Sequence, residues 1–406
     1  MKYQIFFAVF LLIFLMNNKT FAAGIEIEDE RATPEYWTAK NPDGDKLLFT
    51  YKQIDRLNTE ILERDDYAAD LMNYPETITA DKLRAKIAKI TDDVRLIGSQ
   101  AVMANRNLNE LQYDINVQYA VTTERVNIRL LPQPPTGEKF DKIQGTALDP
   151  AEPVAILWES KDGKFSFVQA KYYFGWVNKN SLAFTDRETW KTYIEPEKFL
   201  VVMTNKKFVN VNGKIILFQM GAKIPLQSSA LENNFWVARL PIAENGNLKE
   251  VSAKVLNDEN VGTDYLQPTK NNLIRQSFKF LGNIYGWGGL ENSVDCSSLV
   301  QNVYRSIGIF IPRDADRQAG CVPIVSVFND VTRAERVDIV RRAPVGSLLL
   351  MPTHVMMKLG NDESGTPIII HSIGGSLRKV IVSDLNFSSA SGALMIDRLT
   401  DIVFPR

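Results

Sequence analysis

Two cysteines and two histidines are the whole supply of those residue types in this chain of 406 residues, so a thiol nucleophile can come only from Cys296 or Cys321 and an imidazole base only from His354 or His371. Cys296 follows the polar, Gly-rich stretch Tyr285-Gly-Trp-Gly-Gly-Leu-Glu-Asn-Ser-Val-Asp295. It opens a segment that carries Leu299, Val300, Val303 and Ile307 on one helical face and stops at Gly308. A thiol at a helix N-terminus meets unpaired backbone N–H groups and the positive end of the helix dipole, which favour the thiolate and lower its pKa from about 8.5. The plainer readings are a buried small hydrophobe or a Cys296–Cys321 disulfide, since cysteine is commonly buried.

His354 opens the strand-like run His-Val-Met-Met-Lys-Leu, and His371 closes Pro-Ile-Ile-Ile-His, with Gly360-Asn-Asp-Glu-Ser-Gly365 as a turn between them. A regular hairpin whose midpoint falls between Asp362 and Glu363 sets the two histidines directly opposite each other, with Cβ atoms about 5 Å apart. His354 is then expected to take the thiol proton and His371 to fix its tautomer. A metal reading of the pair ranks low, because zinc sites need three or four protein ligands and no further Cys, His or carboxylate clusters beside them. No metal and no cofactor are expected. Tyr285 is a candidate oxyanion donor, although the residues alone favour a packing aromatic beside Trp287.

These groups need elements to hold them. Residues 48–110 show helical periodicity, with Tyr51, Ile54, Leu57, Ile61 and Leu62 in one stripe. Leu83, Ile87, Ile90 and Val94 form another after a Thr79 cap, and together they predict a small helical unit. From 117 to 186 the signal changes to short β-runs, Gln118–Val121, Val154–Trp158, Phe165–Val168 and Tyr172–Val177, around a Lys161-Asp162-Gly163-Lys164 turn. A second such region, with Phe199–Met203, Ile215–Phe218 and Phe235–Leu240, runs to 257, and the two predict consecutive small β-barrels. From Gln267 onward the pattern is mixed α and β.

Met1–Ala23 reads as a cleavable secretory signal, with Lys2 at its start, an apolar run from Ile5 to Met16 and small residues at Thr20-Phe21-Ala22-Ala23. The apolar run is short for a bilayer span of roughly 20 residues, so no stable membrane anchor is expected. Of the 47 basic residues Lys2 and Lys19 lie in the signal, which leaves 45 basic against 48 acidic side chains. That balance argues against a nucleic-acid partner. Two cysteines are too few for a disulfide framework, and none lies near the cleavage site to carry a lipid. An exported, periplasmic or secreted monomer is expected.

The run Tyr285-Gly-Trp-Gly-Gly289, Asp295-Cys296-Ser297-Ser298, Ile311-Pro-Arg-Asp-Ala-Asp-Arg-Gln318, His354-Val and His371-Ser resembles the NlpC/P60 family of cysteine peptidases. Asn73-Tyr-Pro-Glu76, Arg129-Leu-Leu-Pro132 and Tyr173-Phe-Gly-Trp-Val177 extend the likeness to its subgroup with bacterial SH3 domains. The resemblance implies a multidomain α+β chain: signal peptide 1–23, N-terminal helical clip 24–116, first SH3-like barrel 117–186, second 187–262 and a papain-like NlpC/P60 domain 263–406. It also implies that Cys296, His354 and His371 are catalytic and that Tyr285 supports the oxyanion. The implied reaction is hydrolysis of the γ-D-glutamyl–diamino acid bond, with meso-diaminopimelate as the diamino acid, in peptidoglycan stem peptides that carry a free L-alanine amine.

In that reading Asp295 and Ser297 bind the amino-terminal end of the peptide, and Asp295 caps the helix as well. Tyr173 walls the cleft, with Tyr172 as the alternative. Three features depart from the family pattern: histidines 17 residues apart, Ala315 where some relatives have a polar residue, and bulky Met356 and Met357 in the base strand. The competing readings are a non-catalytic cell-wall peptide-binding protein and an amidase or acyltransferase on the same fold.

Overall fold

The computed structural model describes residues 26–111, 113–388 and 392–405, so the expected leader, 1–23, lies outside the described residues. The first β-unit contains seven strands, from Gln118–Thr122 to Leu182–Thr185, joined by antiparallel pairings. Its core is built on Ile128, Val154, Phe167, Phe174 and Trp176. The strand Phe165–Gln169 is buried along its whole length. The helix Ala80–Thr91 lies close by, with Lys86 donating to Gln169 and resting over the Phe174 ring. The helix Arg187–Ile194 adds Trp190 and Tyr193 to the same core.

The second β-unit has a separate core made by Leu200, Val202, Phe218, Ile224, Leu240 and Val255. Its longest feature is the hairpin of Phe235–Glu244 with Asn247–Leu256. Asn245 and Gly246 turn that hairpin, both at positive φ (52° and 84°), the conformation an Asn-Gly pair adopts most readily. One parallel bridge, Asn247 to Phe184, links the two units' strands.

The C-terminal part is a six-stranded sheet of Ile324–Val327, Asp401–Val403, Leu348–Met351, His354–Asn361, Pro367–Ile373 and Lys379–Ser383, in that order. Both faces are covered. Val355, Met357, Leu359, Ile368 and Val380 share a core with Val300, Val303 and Tyr304 of the helix Cys296–Arg305. Leu349, Met356, Ile369 and Ile402 pack with Val340 and Ile396 on the other side. The two bulky methionines of the base strand are thus absorbed one on each face.

The N-terminal region differs from the small helical unit that its periodicity suggested. Trp37, Phe49, Ile54, Leu57 and Ile61 are buried with the C-terminal sheet and the Cys296 helix, whereas Leu71, Leu83, Ile87 and Ile90 are buried with the first barrel. Amphipathic stripes show that a face is buried but not against what. The region is a strap, tied by Ile27 N–H to the Val382 carbonyl (2.8 Å) at one end and Ala69 N–H to the Lys171 carbonyl (2.9 Å) at the other.

Asp149 of the first barrel joins the three parts. Its carboxylate accepts from Arg125 of the same barrel (3.2 Å), from Gln219 N–H of the second unit (2.9 Å) and from Arg305 of the Cys296 helix (2.7 Å). Asp149→Ala leaves two arginines without their shared partner and is expected to cost about 3 kcal/mol of stability. A urea midpoint, followed by tryptophan fluorescence, that matches the wild type would contradict this role.

Candidate active site

Asp295 is the N-cap of the Cys296–Arg305 helix. It accepts from Ser298 N–H (2.9 Å), while Ser298 Oγ accepts from Asp295 N–H (2.9 Å) in a capping box. The other carboxylate oxygen accepts from Gly288 N–H (2.9 Å) and from Arg313 Nη2 (2.7 Å). Arg313 also donates to Ser297 Oγ (2.8 Å) and, through Nε, to Thr146 Oγ1 of the first barrel (2.7 Å). Burial works against the charge, yet Arg313 and Ser298 hold the Asp295 carboxyl below its ordinary range.

Asp295 and Ser297, the residues expected to bind the amino-terminal end of a peptide, both accept from Arg313. The carboxylate left without a close cation is Asp314, whose nearest one, Arg313 Nη1, is 3.9 Å away. Burial pushes its carboxyl up to about 6. Asp314 stands inside the quoted motif, but nothing in its spacing distinguished it from its neighbours.

Gly288 and Gly289 dock the loop before the helix onto the first barrel. Both have positive φ (57° and 82°), and a Cβ on Gly288 would lie 2.5 Å from Gln144 Cγ. Gln144 donates to the Gly288 carbonyl (2.9 Å) across that contact.

Cys296 and Cys321 are both buried free thiols. Contrary to the lowering expected at a helix N-terminus, burial and the Asp295 carboxylate push the Cys296 thiol up to about 12, against hydrogen bonding from the amides of Val355 and Ser297. The Val355 contact sets the sulfur against the base strand one residue from His354.

The histidines meet, but not as directly opposed partners. Met357 pairs with Ile370 and Asn361 with Pro367, with an extra residue, Leu359, bulged between Lys358 and Gly360. The turn is centred on Ser364, closed by Asp362 N–H to the Thr366 carbonyl (2.9 Å). Carried on to the histidines, this register sets His371 opposite Met356, two residues from direct opposition to His354. An even shift keeps both rings on one face, and diagonal neighbours are within reach of long or aromatic side chains. His354 Nε2 and His371 Nδ1 are 2.9 Å apart.

Ser383, which the sequence reading did not single out, fixes the direction of that bond. Its hydroxyl donates to the Asp384 carbonyl (2.9 Å) and therefore accepts from His371 Nε2 (3.2 Å). With its proton on Nε2, His371 accepts at Nδ1 from His354 Nε2–H, and His354 Nδ1 is left with a free lone pair. Burial, then Arg398, pushes His354 down to about 4, and burial and His354 push His371 well below its ordinary value. Thiol and imidazoles are all neutral at pH 7.

Tyr285 is buried, and burial followed by the neighbouring Cys296 pushes its phenol far up, so it is a hydrogen-bond donor at working pH. Phe140 of the first barrel packs on it (5.7 Å between centroids). Tyr173 is 6% exposed and faces Asp314, while Tyr172 stacks on Phe310 at 5.7 Å. Both therefore lie at the junction between barrel and C-terminal domain.

A thiol at a helix N-terminus, beside a strand whose histidine is hydrogen-bonded to a second histidine, is the arrangement of papain-like cysteine hydrolases of the α+β class. Residues 282–398 match the NlpC/P60 family and residues 131–178 the SH3 domain of SH3b1 type, so the chain carries an NlpC/P60 domain behind a bacterial SH3 domain. It is similar to a gamma-D-glutamyl-L-lysine dipeptidyl-peptidase of Bacillus cereus, 26% identical over 152 residues, which is 36% of this chain and 43% of that relative. An NlpC/P60 endopeptidase of Photobacterium damselae subsp. piscicida shares the fold with a TM-score of 0.71 at 16% identity, over 94% of this chain and 98% of the other. An NlpC/P60 family protein of Bacillus cereus does so with a TM-score of 0.52 at 18% identity, over 70% and 99%.

Two outcomes follow from the protonation states and the Ser383 contact. In a Cys321→Ser background, alkylation of Cys296 by iodoacetamide rises about tenfold per pH unit from neutrality upward, as for any thiol of high pKa. A plateau beginning near pH 5 would instead reveal a preformed ion pair. Ser383→Ala, by releasing the His371 tautomer, lowers kcat about five- to tenfold with little change in KM, and Ser383→Thr restores it.

Proposed function

We propose that the chain is an exported endopeptidase that cleaves the γ-D-glutamyl–diamino acid bond of peptidoglycan stem peptides with a free amino-terminal L-alanine. The observation that carries the chemistry is the directed chain from Ser383 through His371 to His354, with the thiol bonded to the amide next to His354. Cys296 gives its proton to His354 Nδ1 as sulfur attacks the γ-glutamyl carbonyl carbon. The Tyr285 hydroxyl donates to the oxygen on which negative charge develops. Protonated His354 then gives its proton to the departing amine of the diamino acid, leaving a thioester on Cys296. The same imidazole takes a proton from water as water attacks the thioester and returns it to sulfur as the C–S bond breaks, which releases the carboxylic acid and restores the thiol. No cofactor enters these steps.

A neutral resting pair makes this general-base attack, not capture by a standing thiolate. His371 holds the ring of His354 and lends it a hydrogen bond as it becomes positive. Asp314, whose charge is felt by Tyr173, is assigned to the L-alanine ammonium in place of Asp295: it is half-buried and its ion pair with Arg313 is long, at 3.9 Å. Tyr173 then walls the amine end, where a glycan-linked stem would collide. The similarity to a gamma-D-glutamyl-L-lysine dipeptidyl-peptidase supports the bond chosen.

The test is mass spectrometry of L-Ala-γ-D-Glu-meso-diaminopimelate incubated with the mature protein. Release of L-Ala-γ-D-Glu is expected from the free-amine peptide, no product from Cys296→Ala, and little from the N-acetylated peptide. Asp314→Asn is expected to raise KM by about tenfold or more for the free-amine peptide, as loss of a charge-assisted bond does. Equal cleavage of the acetylated and free peptides would remove the amine from the proposal, and no cleavage by folded, reduced protein would remove the reaction.

A further inference from the structure

A cavity of about 150 Å3 lies where the two barrels meet the C-terminal end of the Cys296–Arg305 helix. Gln301 and Arg305 line it, so its helix wall is roughly 8–14 Å along the axis from Cys296 at 1.5 Å per residue. Two lysines from different barrels line it. Lys171 Nζ sits 4.9 Å from the Phe310 ring centroid and 5.3 Å from that of Tyr172, and Lys223 Nζ sits 4.3 Å from Phe199 and 5.8 Å from Tyr265.

Neither ammonium has a carboxylate within ion-pair distance among the described residues. Burial pushes Lys171 down and Lys223 down to about 8, and the charge of Lys171 is the next contribution to the lowering of Lys223, so the two heads feel each other. Glu195 and Asp70 act on Lys171 only from a distance, as does Glu152. The cavity's own carboxylates are committed elsewhere. Asp149 is held by Arg305, Arg125 and Gln219 N–H. Glu152 stands 3.6 Å from Arg305, and burial with Asp149 beside it pushes it up to about 7.

What remains is a pocket with two positive charges on different barrels that feel carboxylates only from a distance, Glu195 and Asp264 in the case of Lys223, with aromatic faces that hold the lysine heads in place and apolar walls such as Leu71, Ile194 and Ile311. Partly buried cations without an ion-pair partner attract an anion more strongly than fully solvated ones do. A cavity of this volume holds a body about the size of benzene. We propose that this cavity is a second binding site, for a compact organic dianion whose two carboxylates reach Lys171 and Lys223. The site is independent of the hydrolytic reading. Because Tyr173 and Arg313 form part of its wall, its occupancy also braces the cleft.

The experiment is isothermal titration of the mature protein with glutarate at low ionic strength, with acetate and inorganic phosphate as parallel arms. Glutarate is expected to bind more tightly than either, and Lys171→Met with Lys223→Met to weaken it by at least about tenfold. Glu152→Gln, which removes a competing negative charge without touching the lysines, tightens it. Absence of glutarate heat with the wild type overturns the proposal, as does equal affinity in the lysine double variant with intact circular dichroism. Phosphate binding above glutarate overturns the organic dianion. Should the double variant not fold, the Glu152→Gln affinity decides, and no tightening there counts against the site.

Discussion

The buried ion pair between Asp295 and Arg313 is the interaction around which the catalytic half of the molecule is arranged. Two charges removed from water are tolerable only when their remaining lone pairs and protons are satisfied. Asp295 meets that condition with Ser298 and Gly288 as well as Arg313, and Arg313 with Ser297 and Thr146 as well as Asp295. Those partners come from three pieces of structure: the first turn of the helix, the Gly-rich loop and the first barrel. The pair thereby fixes the angle at which the sulfur emerges and the seating of the barrel over it.

That arrangement also decides the electrostatics of the nucleophile. An anionic cap next to the thiol opposes the helix dipole, and low solvent access sharpens the opposition. The helix N-terminus offers the sulfur backbone donors but does not ionise it in the closed pocket. Proton removal then depends on an imidazole whose lone pair points the right way. The pointing is set by a neutral hydroxyl, Ser383, at the far end of a three-group chain rather than by a carboxylate.

The helix bearing Cys296 was legible because its apolar spacing and the Asp295 cap are local signals. The β-character of residues 117–257 was legible from turn residues and alternation, though the strand Asn247–Leu256 was missed: only Val251, Ala253 and Val255 alternate with polar residues, after the charged Lys249-Glu250 start, and the strand gains its place by pairing with Phe235–Glu244. The hairpin of the histidines shows how far local reading extends. The turn residues were identified, but a bulge at Leu359 and a turn centred on Ser364 moved the register by two, a shift that preserves face and changes partner. Asp314 and Ser383 were not legible. A carboxylate is singled out by losing its counter-charge to a neighbour, and a serine by a ring delivered from another strand, and neither condition leaves a mark in spacing. The thiol pKa was misjudged for the same reason, since burial is a property of the assembled chain.

The N-terminal strap has a consequence for how the chain acquires this structure. Trp37 packs so closely on Gly360 that a Cβ there would lie 2.9 Å from the indole, and Ile27 bonds to Val382. A segment that precedes both barrels in the chain therefore finds its resting place only on the sheet that follows them. Closing a loop that spans both barrels carries an entropic penalty before any of its contacts form. The barrels, whose strand pairings lie within residues 118–262, are free to form beforehand. The strap can then seat only after the sheet it rests on has formed, with both barrels inside the loop it closes.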